Sequence, residues 1–383
     1  MKKIAFSGTL DPITNGHMWV ISEARAMADQ VIVFLSENPS KAPQFSAERR
    51  REIILQSAAE RGWNDVEVMI VRGDYTARAA KRHGIDYIIR GIRNTADFDY
   101  ENLIQQTNVD VLGGAKTIFV MPPRDLGSVS SSFVRALQGP VGWHWTVRQF
   151  VPDAAYRAWI TDWLHQHWQA LWPASCPADS VERWFDRLIG AAHYGGATRH
   201  YHGLEHLVHG LSEIRAWAAN HDASAAQVAL LGKAFWFHDA VYAQHDADCS
   251  DEEASAQLWL ASDLAALDPH EAQQVAALIR ATDHFQADVV AHPLKAVLIG
   301  ADLAILGQNP VVYADYAAAI RAEYATVPAS TYCLHRARAL QTLLRKAQDG
   351  RLFGDPYFSA QYSATACTNL QQEIIALAPA SAT

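Results

Sequence analysis

Two stretches of the chain combine residue types that can do chemistry together. The first is Ser7-Gly8-Thr9-Leu10-Asp11-Pro12-Ile13-Thr14-Asn15-Gly16-His17, which follows an apolar run and opens a helical pattern. Glycines there let the backbone approach a ligand, and a helix start offers unpaired N–H groups and a positive dipole end to a phosphate. Two or three of these residues would describe an ordinary turn with a capping Thr or Asn. Seven specified residues in the order Gly-Thr-x-Asp-Pro-x-Thr-x-Gly-His point instead to a site. The second stretch is Arg199-His200-Tyr201-His202-Gly203-Leu204-Glu205-His206, followed by Phe237-His238-Asp239 and then Gly300-Ala301-Asp302-Leu303. Imidazole and carboxylate together suit a divalent transition metal, and adjacent His238 and Asp239 at the end of an apolar helix can both reach one ion. A lone His-Asp pair would more often be a helix end. The order His, His-Asp, Asp across successive helices is what makes a metal site.

The elements needed to position these residues differ between the two halves. Ile4 to Phe6, Val31 to Leu35, Val66 to Val71, Tyr87 to Ile89 and Ile118 to Val120 are apolar or β-branched runs of the kind buried on both faces of a sheet. Between them Val20, Ile21, Ala24, Met27 and Ala28 fall at helical spacing, and Ser46 caps a second helix through Ile53 and Ile54. Repeated βα units predict an α/β doubly wound parallel sheet, with ligands beyond the carboxyl ends of its strands. The second half carries amphipathic patterns at Leu204 to Trp217, Ala226 to Phe237, Glu252 to Leu264, Ala272 to Ala281 and Tyr313 to Tyr324. These predict an all-α domain starting between Trp159 and Trp172, with Pro173 and Pro177 breaking the chain after its first helix.

Composition agrees with two globular domains. The chain has 383 residues, half of them hydrophobic, with 32 basic and 41 acidic side chains. Residues 1–150 carry 18 basic and 16 acidic groups, and 151–383 carry 14 and 25, so the acidic balance belongs to the second half. An extended nucleic-acid surface is not expected from that balance. Cys176, Cys249, Cys333 and Cys367 form no CxxC pair, which excludes a zinc ribbon and a disulfide framework. Without an apolar stretch long enough for a signal peptide or membrane span, a cytoplasmic protein is expected. The Ala-rich tail from Ala376 to Thr383 is expected to fray.

The first stretch resembles the signature of the phosphopantetheine adenylyltransferases, within the nucleotidyltransferase group whose Thr/His-x-Gly-His motif binds nucleotide phosphates. Pro39-Ser40-Lys41-Ala42-Pro43-Gln44-Phe45 resembles the family's Lys-bearing loop, Ile89-Arg90-Gly91-Ile92-Arg93-Asn94-Thr95-Ala96-Asp97-Phe98-Asp99-Tyr100-Glu101 its arginine motif, and Ser128 to Arg135 its serine-rich helix start. Phe150-Val151-Pro152 sits where the family ends its fold. The resemblance covers about the first 160 residues. It implies a nucleotidyltransferase domain at 1–162, in which His17, Lys41 and Arg90 are catalytic. Gly8, Thr9, Gly91 and Ser130 to Ser132 would bind the phosphates, Arg93 and Glu101 would line the nucleotide side, and Asp74, Tyr75 and Asn108 would approach the pantetheine arm. Ser7 and Leu10 replace the usual Pro and Phe, Leu126 stands where Trp is common, and Val109 follows Asn108 where Arg is usual. These departures bear on acceptor choice and turnover more than on fold.

The second stretch, with Phe-Trp-Phe-His-Asp-x-Val-Tyr, Ala-Thr-x-His and Ala-Asp-Leu-x-Ile-Leu-Gly, resembles the HD superfamily of metal-dependent phosphohydrolases, including predicted hydrolases of unassigned substrate. The resemblance implies an HD domain at 163–383 with His206, His238, Asp239 and Asp302 as ligands of a divalent transition metal or Mg2+. His206 lies on the helical run with Leu207, Leu211 and Ile214, whereas His202 precedes it. The choice between them as first ligand stays open at this level, with His202 the candidate substrate contact. His284 is assigned to a second metal or a phosphate, while His209 and His335 are read as structural or exposed. Tyr313, Arg321, Glu323, Tyr324 and Arg336 form a polar set suited either to a pocket or to a solvated face.

The expectation is therefore a bifunctional enzyme. One domain would transfer adenylyl from ATP, with Mg2+, to 4'-phosphopantetheine, giving dephospho-coenzyme A and pyrophosphate. The other would hydrolyse a phosphate ester. A homo-oligomer is expected, with neither nucleic acid nor membrane as partner. The alternatives are transfer to a different phosphate acceptor and an HD domain that senses a nucleotide or metal. Cytidylyl transfer is disfavoured because Thr14 stands where those relatives carry His.

Overall fold

A computed structural model describes residues 1–37, 42–111, 113–242, 249–283 and 291–378. Lys41, His284 and the last five residues of the Ala-rich tail lie outside them. The chain divides into two compact units, Met1–Thr161 and Asp162–Thr383.

The first unit is a five-stranded parallel sheet, β1 (Lys3–Gly8), β2 (Gln30–Ser36), β3 (Val66–Val71), β4 (Tyr87–Gly91) and β5 (Lys116–Val120), in the order β3-β2-β1-β4-β5. Its connections are α1 (Asn15–Met27), α2 (Ala47–Ala59), α3 (Thr76–Arg82) and α4 (Thr95–Gln106), the last running into a π-helical turn at Thr107–Val111. The central strands are apolar because helices cover both faces: Ile4, Ala5, Val33, Phe34 and Leu35 are fully buried. Strand order reverses between β1 and β4, which pair Ile4 with Tyr87 and Phe6 with Ile89. A ligand crevice is expected beyond such a switch point. Two glycines stand there, Gly8 ending β1 and Gly91 ending β4. The fold class is thus the one the apolar runs predict.

Three further helices follow β5: α5 (Ser131–Ala136), α6 (Trp143–Arg148) and α7 (Asp153–Ala170). The division between units falls inside α7. Sequence reading ends one fold at Pro152 and starts the next between Trp159 and Trp172, whereas one helix begins directly after Pro152 and runs on to Ala170. Proline stops a helix from continuing through it but is tolerated just before a new one, so Pro152 starts α7.

Among the described residues of the second unit there are only helices: α8 (Ala178–Ile189), α9 (Leu204–Asn220), α10 (Ala225–Phe237), α11 (Asp251–Leu260), α12 (Pro269–Arg280), α13 (Lys295–Leu303), α14 (Pro310–Glu323), α15 (Ala329–Gln348) and α16 (Pro356–Leu377). The tryptophans concentrated in this half form its core. Trp168 lies edge-on to Trp236 at 5.1 Å, and Phe237 edge-on to Trp259 at 5.0 Å. Gly210 lets α9 and α10 approach closely, because a Cβ there would lie 1.9 Å from the Phe235 ring. That approach brings His206, one turn before Gly210, to His238, three residues after Phe235. Among the described residues no single helix is long and apolar enough to cross a membrane.

Candidate active site and candidate metal centre

The β1–α1 turn is built by its own polar side chains. Thr14 caps α1 by accepting from the His17 backbone N–H at 3.4 Å, and His17 reaches back so that Nδ1 accepts the Thr14 N–H at 3.0 Å. This reciprocal cap fixes the tautomer: with Nδ1 an acceptor, the neutral ring carries its proton on Nε2. Burial, with Arg93 and Arg90 nearby, pushes the His17 pKa down to about 4, so the ring is neutral near pH 7. Buried Asp11 accepts from the backbone N–H groups of Gln44 (2.7 Å) and Phe45 (3.2 Å), tying that loop to the turn. Buried Arg50 donates to Phe45 O at 3.1 Å and Thr9 O at 2.5 Å, and Arg135 donates to Asp11 O.

Beyond the strand ends lies a cavity of about 360 Å³ lined by Gly8, Thr9, His17, Arg90, Arg93 and Glu101, with Gly91 and Ser130 to Ser132 also at its walls. Arg90 is held by Glu101, with Nε to Oε2 at 2.8 Å, and by the Ser7 carbonyl. Arg93 is held by Asp97 at 2.7 Å. The serines are partly occupied by the fold: Ser130 caps α5 at the Phe133 N–H (3.1 Å), and Ser131 donates to Pro12 O at 2.8 Å. Asp74, Tyr75 and Asn108 do not line this cavity. Asp74 pairs with Arg82 beside a separate hollow of about 280 Å³, Tyr75 is 60% exposed, and the Asn108 carbonyl accepts the Gly114 N–H. Sequence reasoning gave no separate role to Asp11, Arg50 or Arg135, although Asp11 and Arg135 stand inside quoted motifs; the contacts Asp11–Gln44, Arg50–Thr9 and Arg135–Asp11 join positions 33 to 124 residues apart.

Residues 5–137 match the cytidylyltransferase-like family. The phosphopantetheine adenylyltransferase of Chromobacterium violaceum is 35% identical over 166 residues, all of that protein and 43% of this chain. That of Neisseria meningitidis serogroup C is 31% identical over 166 residues, 95% of its length, and that of Histophilus somni 38% identical over 161 residues, 96% of its length. The chain belongs to the phosphopantetheine adenylyltransferase family. Family membership rests on the α/β unit, and the helical unit of this phosphopantetheine adenylyltransferase homologue has a constellation of its own.

There, α9 supplies His206, the end of α10 supplies His238 and Asp239, and α13 supplies Asp302. One donor atom from each lies within 4.8 Å of all the others. His206 Nε2 is 3.1 Å from His238 Nε2, 3.3 Å from Asp239 Oδ2 and 3.4 Å from Asp302 Oδ1. Ligands about 2.1 Å from a common ion stand roughly 3.0 to 3.4 Å apart at octahedral or tetrahedral angles, so these spacings fit one ion. His238 Nδ1–H donates to Phe235 O at 2.7 Å, which turns the Nε2 lone pair inward. Burial opposes charge on His238, but Asp239 and Asp302 outweigh it and hold the imidazole well above its ordinary value, while Asp239 is held well below its own. A cation bound here would stand in for that proton.

His202 lies outside the cluster. Its Nδ1 is 2.7 Å from Glu323 Oε2, and Glu323 Oε1 accepts the backbone N–H groups of Tyr201 and His202 at 2.7 and 2.9 Å. Against burial, that contact raises the His202 pKa. Arg199 donates to Asp239 O at 2.5 Å and Ala240 O at 2.9 Å, fixing the backbone that carries Asp239. Buried His209 pairs with Glu213 at 3.2 Å, a structural contact, whereas His335 stands exposed at the edge of a cavity beside Asp302. Tyr324 and Arg336 line that cavity too, Glu323 anchors His202, Tyr313 bonds Glu373, and Arg321 caps the end of α14 at Tyr324 O and Val327 O.

Proposed function

We propose that the first unit transfers the adenylyl group of ATP to 4'-phosphopantetheine, giving dephospho-coenzyme A and pyrophosphate. The observation that carries this reading is the fixed Nε2–H tautomer of His17 at the sheet's switch point, in a cavity shared with Arg90 and the two β-strand glycines. The acceptor phosphate is already an anion, so its oxygen attacks the α-phosphorus without a protein base, and the bond to the bridging oxygen of pyrophosphate breaks. His17 Nε2–H, the Thr9 hydroxyl and the Arg90 guanidinium would supply donors to the charge that gathers on those oxygens. Glu101 orients Arg90 by bidentate pairing. The cavity carboxylates Asp11, Asp97 and Glu101 are engaged by protein donors, a set that suits Mg2+ arriving as a ligand of ATP, where it would neutralise the leaving pyrophosphate. The names of the relatives support this substrate pair. Purified chain should release pyrophosphate from ATP only when 4'-phosphopantetheine is present; release with another phosphate acceptor instead would replace the assignment.

We infer that the second unit is an HD-type metal-dependent phosphohydrolase. Support comes from the convergence of two imidazole and two carboxylate donors within the spacing of a single ion. Bound there, a divalent ion would polarise a phosphoryl oxygen and acidify water. The chain's own residues would hold it through His206, His238, Asp239 and Asp302, orient its ligands through Phe235 O and Arg199, and offer His202 to the substrate. Elemental analysis together with a panel of phosphate esters tests this. A metal-loaded protein inert to every ester would favour a sensor.

A further inference from the structure

Beside the metal cluster lies a cavity of about 340 Å³, reached at Asp302 and His202. Its body is not built for charge. Five tyrosines, Tyr201, Tyr242, Tyr316, Tyr324 and Tyr332, form its walls, and aliphatic side chains such as Leu303, Ile305 and Leu343 complete them. A tyrosine hydroxyl carries no charge near pH 7, so these walls are neutral. Among the described residues the one guanidinium on the wall, Arg336, is committed to Glu373 at 2.8 Å and to the Tyr316 hydroxyl at 3.2 Å. The neighbouring His202 is committed to Glu323. A ligand with several phosphates would bring charge into an aromatic enclosure where, among the described residues, the permanent cation on the wall is already paired and His335 stands at the exposed edge, at a high desolvation cost. A ligand with one phosphate at the cluster and an uncharged apolar body would fill the same space favourably.

We propose that the second unit acts on phosphate monoesters of uncharged alcohols with an aromatic or aliphatic body, which this tyrosine-lined cavity holds while the phosphate meets the His206–His238–Asp239–Asp302 cluster. The proposal rests on the hydrolase reading above. In the step it describes, the oxygen of water forms a new bond to phosphorus and the ester P–O bond breaks. That electron pair goes to the alcohol oxygen, which takes the proton water gives up, leaving a free alcohol and inorganic phosphate.

The test compares 3-phenylpropyl phosphate with glycerol 3-phosphate, whose alkyl leaving groups are alike in reactivity, and with pyrophosphate and ATP, all on the full chain loaded with Mn2+. Burying the phenylpropyl group should favour 3-phenylpropyl phosphate over glycerol 3-phosphate by about fiftyfold in kcat/KM and in calorimetric affinity. Ala339→Phe, which fills the cavity from α15, should erase that preference while leaving metal content unchanged, and the milder Ala339→Val should reduce it in part. Equal or better use of glycerol 3-phosphate, pyrophosphate or ATP by the wild type would overturn the substrate class. Should no ester be hydrolysed while 3-phenylpropyl phosphate still binds and Ala339→Phe abolishes that binding, the cavity assignment stands and the hydrolase reading falls. If 3-phenylpropyl phosphate neither binds nor reacts, the proposal is wrong whether or not other esters are cleaved.

Discussion

His17 Nδ1 stands 3.0 Å from the Thr14 backbone nitrogen, so the residue that caps α1 also decides which ring nitrogen of His17 carries the proton. The same arrangement resists protonation, because a proton on Nδ1 would face an N–H donor. A histidine whose folded pKa lies below its unfolded value of about 6.5 binds fewer protons when folded. Its contribution to stability is therefore complete above 6.5 and is lost as pH falls toward 4. Imidazole carbon shifts of His17, assigned with His17→Gln, should titrate near 4; a midpoint at 6 or above would show that the cap does not hold the ring.

Removing the imidazole should cost catalysis and little else. His17→Ala is expected to lower pyrophosphate release from ATP and 4'-phosphopantetheine by about a hundredfold, the usual effect of deleting one donor to transition-state charge. Thr14→Ala should act more weakly on turnover and lower stability by about 1 kcal/mol through loss of the cap. Wild-type turnover in His17→Ala would remove that residue from the mechanism.

Both candidate sites are partly legible in the sequence, and the boundary of legibility follows the distance between partners. The capping of α1 joins Thr14 to a residue three positions on, and the five apolar runs are local, so strands and turn can be read directly. Histidine and aspartate types alone suggest a metal centre, but only folding decides between His202 and His206: Glu323, 121 residues away, claims His202. Asp74 and Tyr75 stand outside the lining of the cavity that contains His17, Asp74 being paired with Arg82, eight residues on. Helix α7 is amphipathic, with Trp159, Trp163, Leu164 and Trp168 buried and Asp153, Arg157, Gln166 and Gln169 exposed, but a boundary expected within it divides that pattern between two folds.

Gly210 is expected to tolerate no side chain. An added Cβ would meet Phe235 Cζ at 1.9 Å, so Gly210→Ala must push α9 and α10 apart or force the Phe235 ring from its rotamer. Overpacking of this kind costs about 1–3 kcal/mol. The displacement also separates His206 from His238, so the variant should lose bound metal as well as denaturant resistance. Restored metal content in Gly210→Ala with Phe235→Leu would identify the helix approach as the cause, and an unaffected single variant would refute it.

Metal occupancy should depend on all four donors. Replacing His206, His238, Asp239 or Asp302 by Ala removes a bond and the geometry that orients the others, so each variant should bind less metal by elemental analysis. Arg199→Ala, which releases the Asp239 backbone, should weaken binding more mildly. Both imidazoles must be neutral to coordinate, and Asp239 and Asp302 hold His238 above its ordinary value of about 6.5, so affinity should fall with acidification and the loss should begin above that pH as protons compete with the ion. Full occupancy in His238→Ala and Asp239→Ala would count against the centre.

The two activities should be separable, with the cut placed by the tryptophans of α7. Trp159 packs edge-on to Phe45 at 6.2 Å in the first unit, and Trp168 packs against Trp236 in the second. Fragment 1–162 keeps the former and 163–383 the latter, so each retains the aromatic anchor its own core requires and should fold alone. A shorter fragment, 1–152, loses Trp159 and Tyr156, both fully buried, and should unfold at lower denaturant or precipitate. Asp239→Ala in the full chain should leave adenylyl transfer at the wild-type rate. Loss of transfer in that variant would show that the two centres are coupled, and equal stability of 1–152 and 1–162 would show that α7 contributes nothing to the first core.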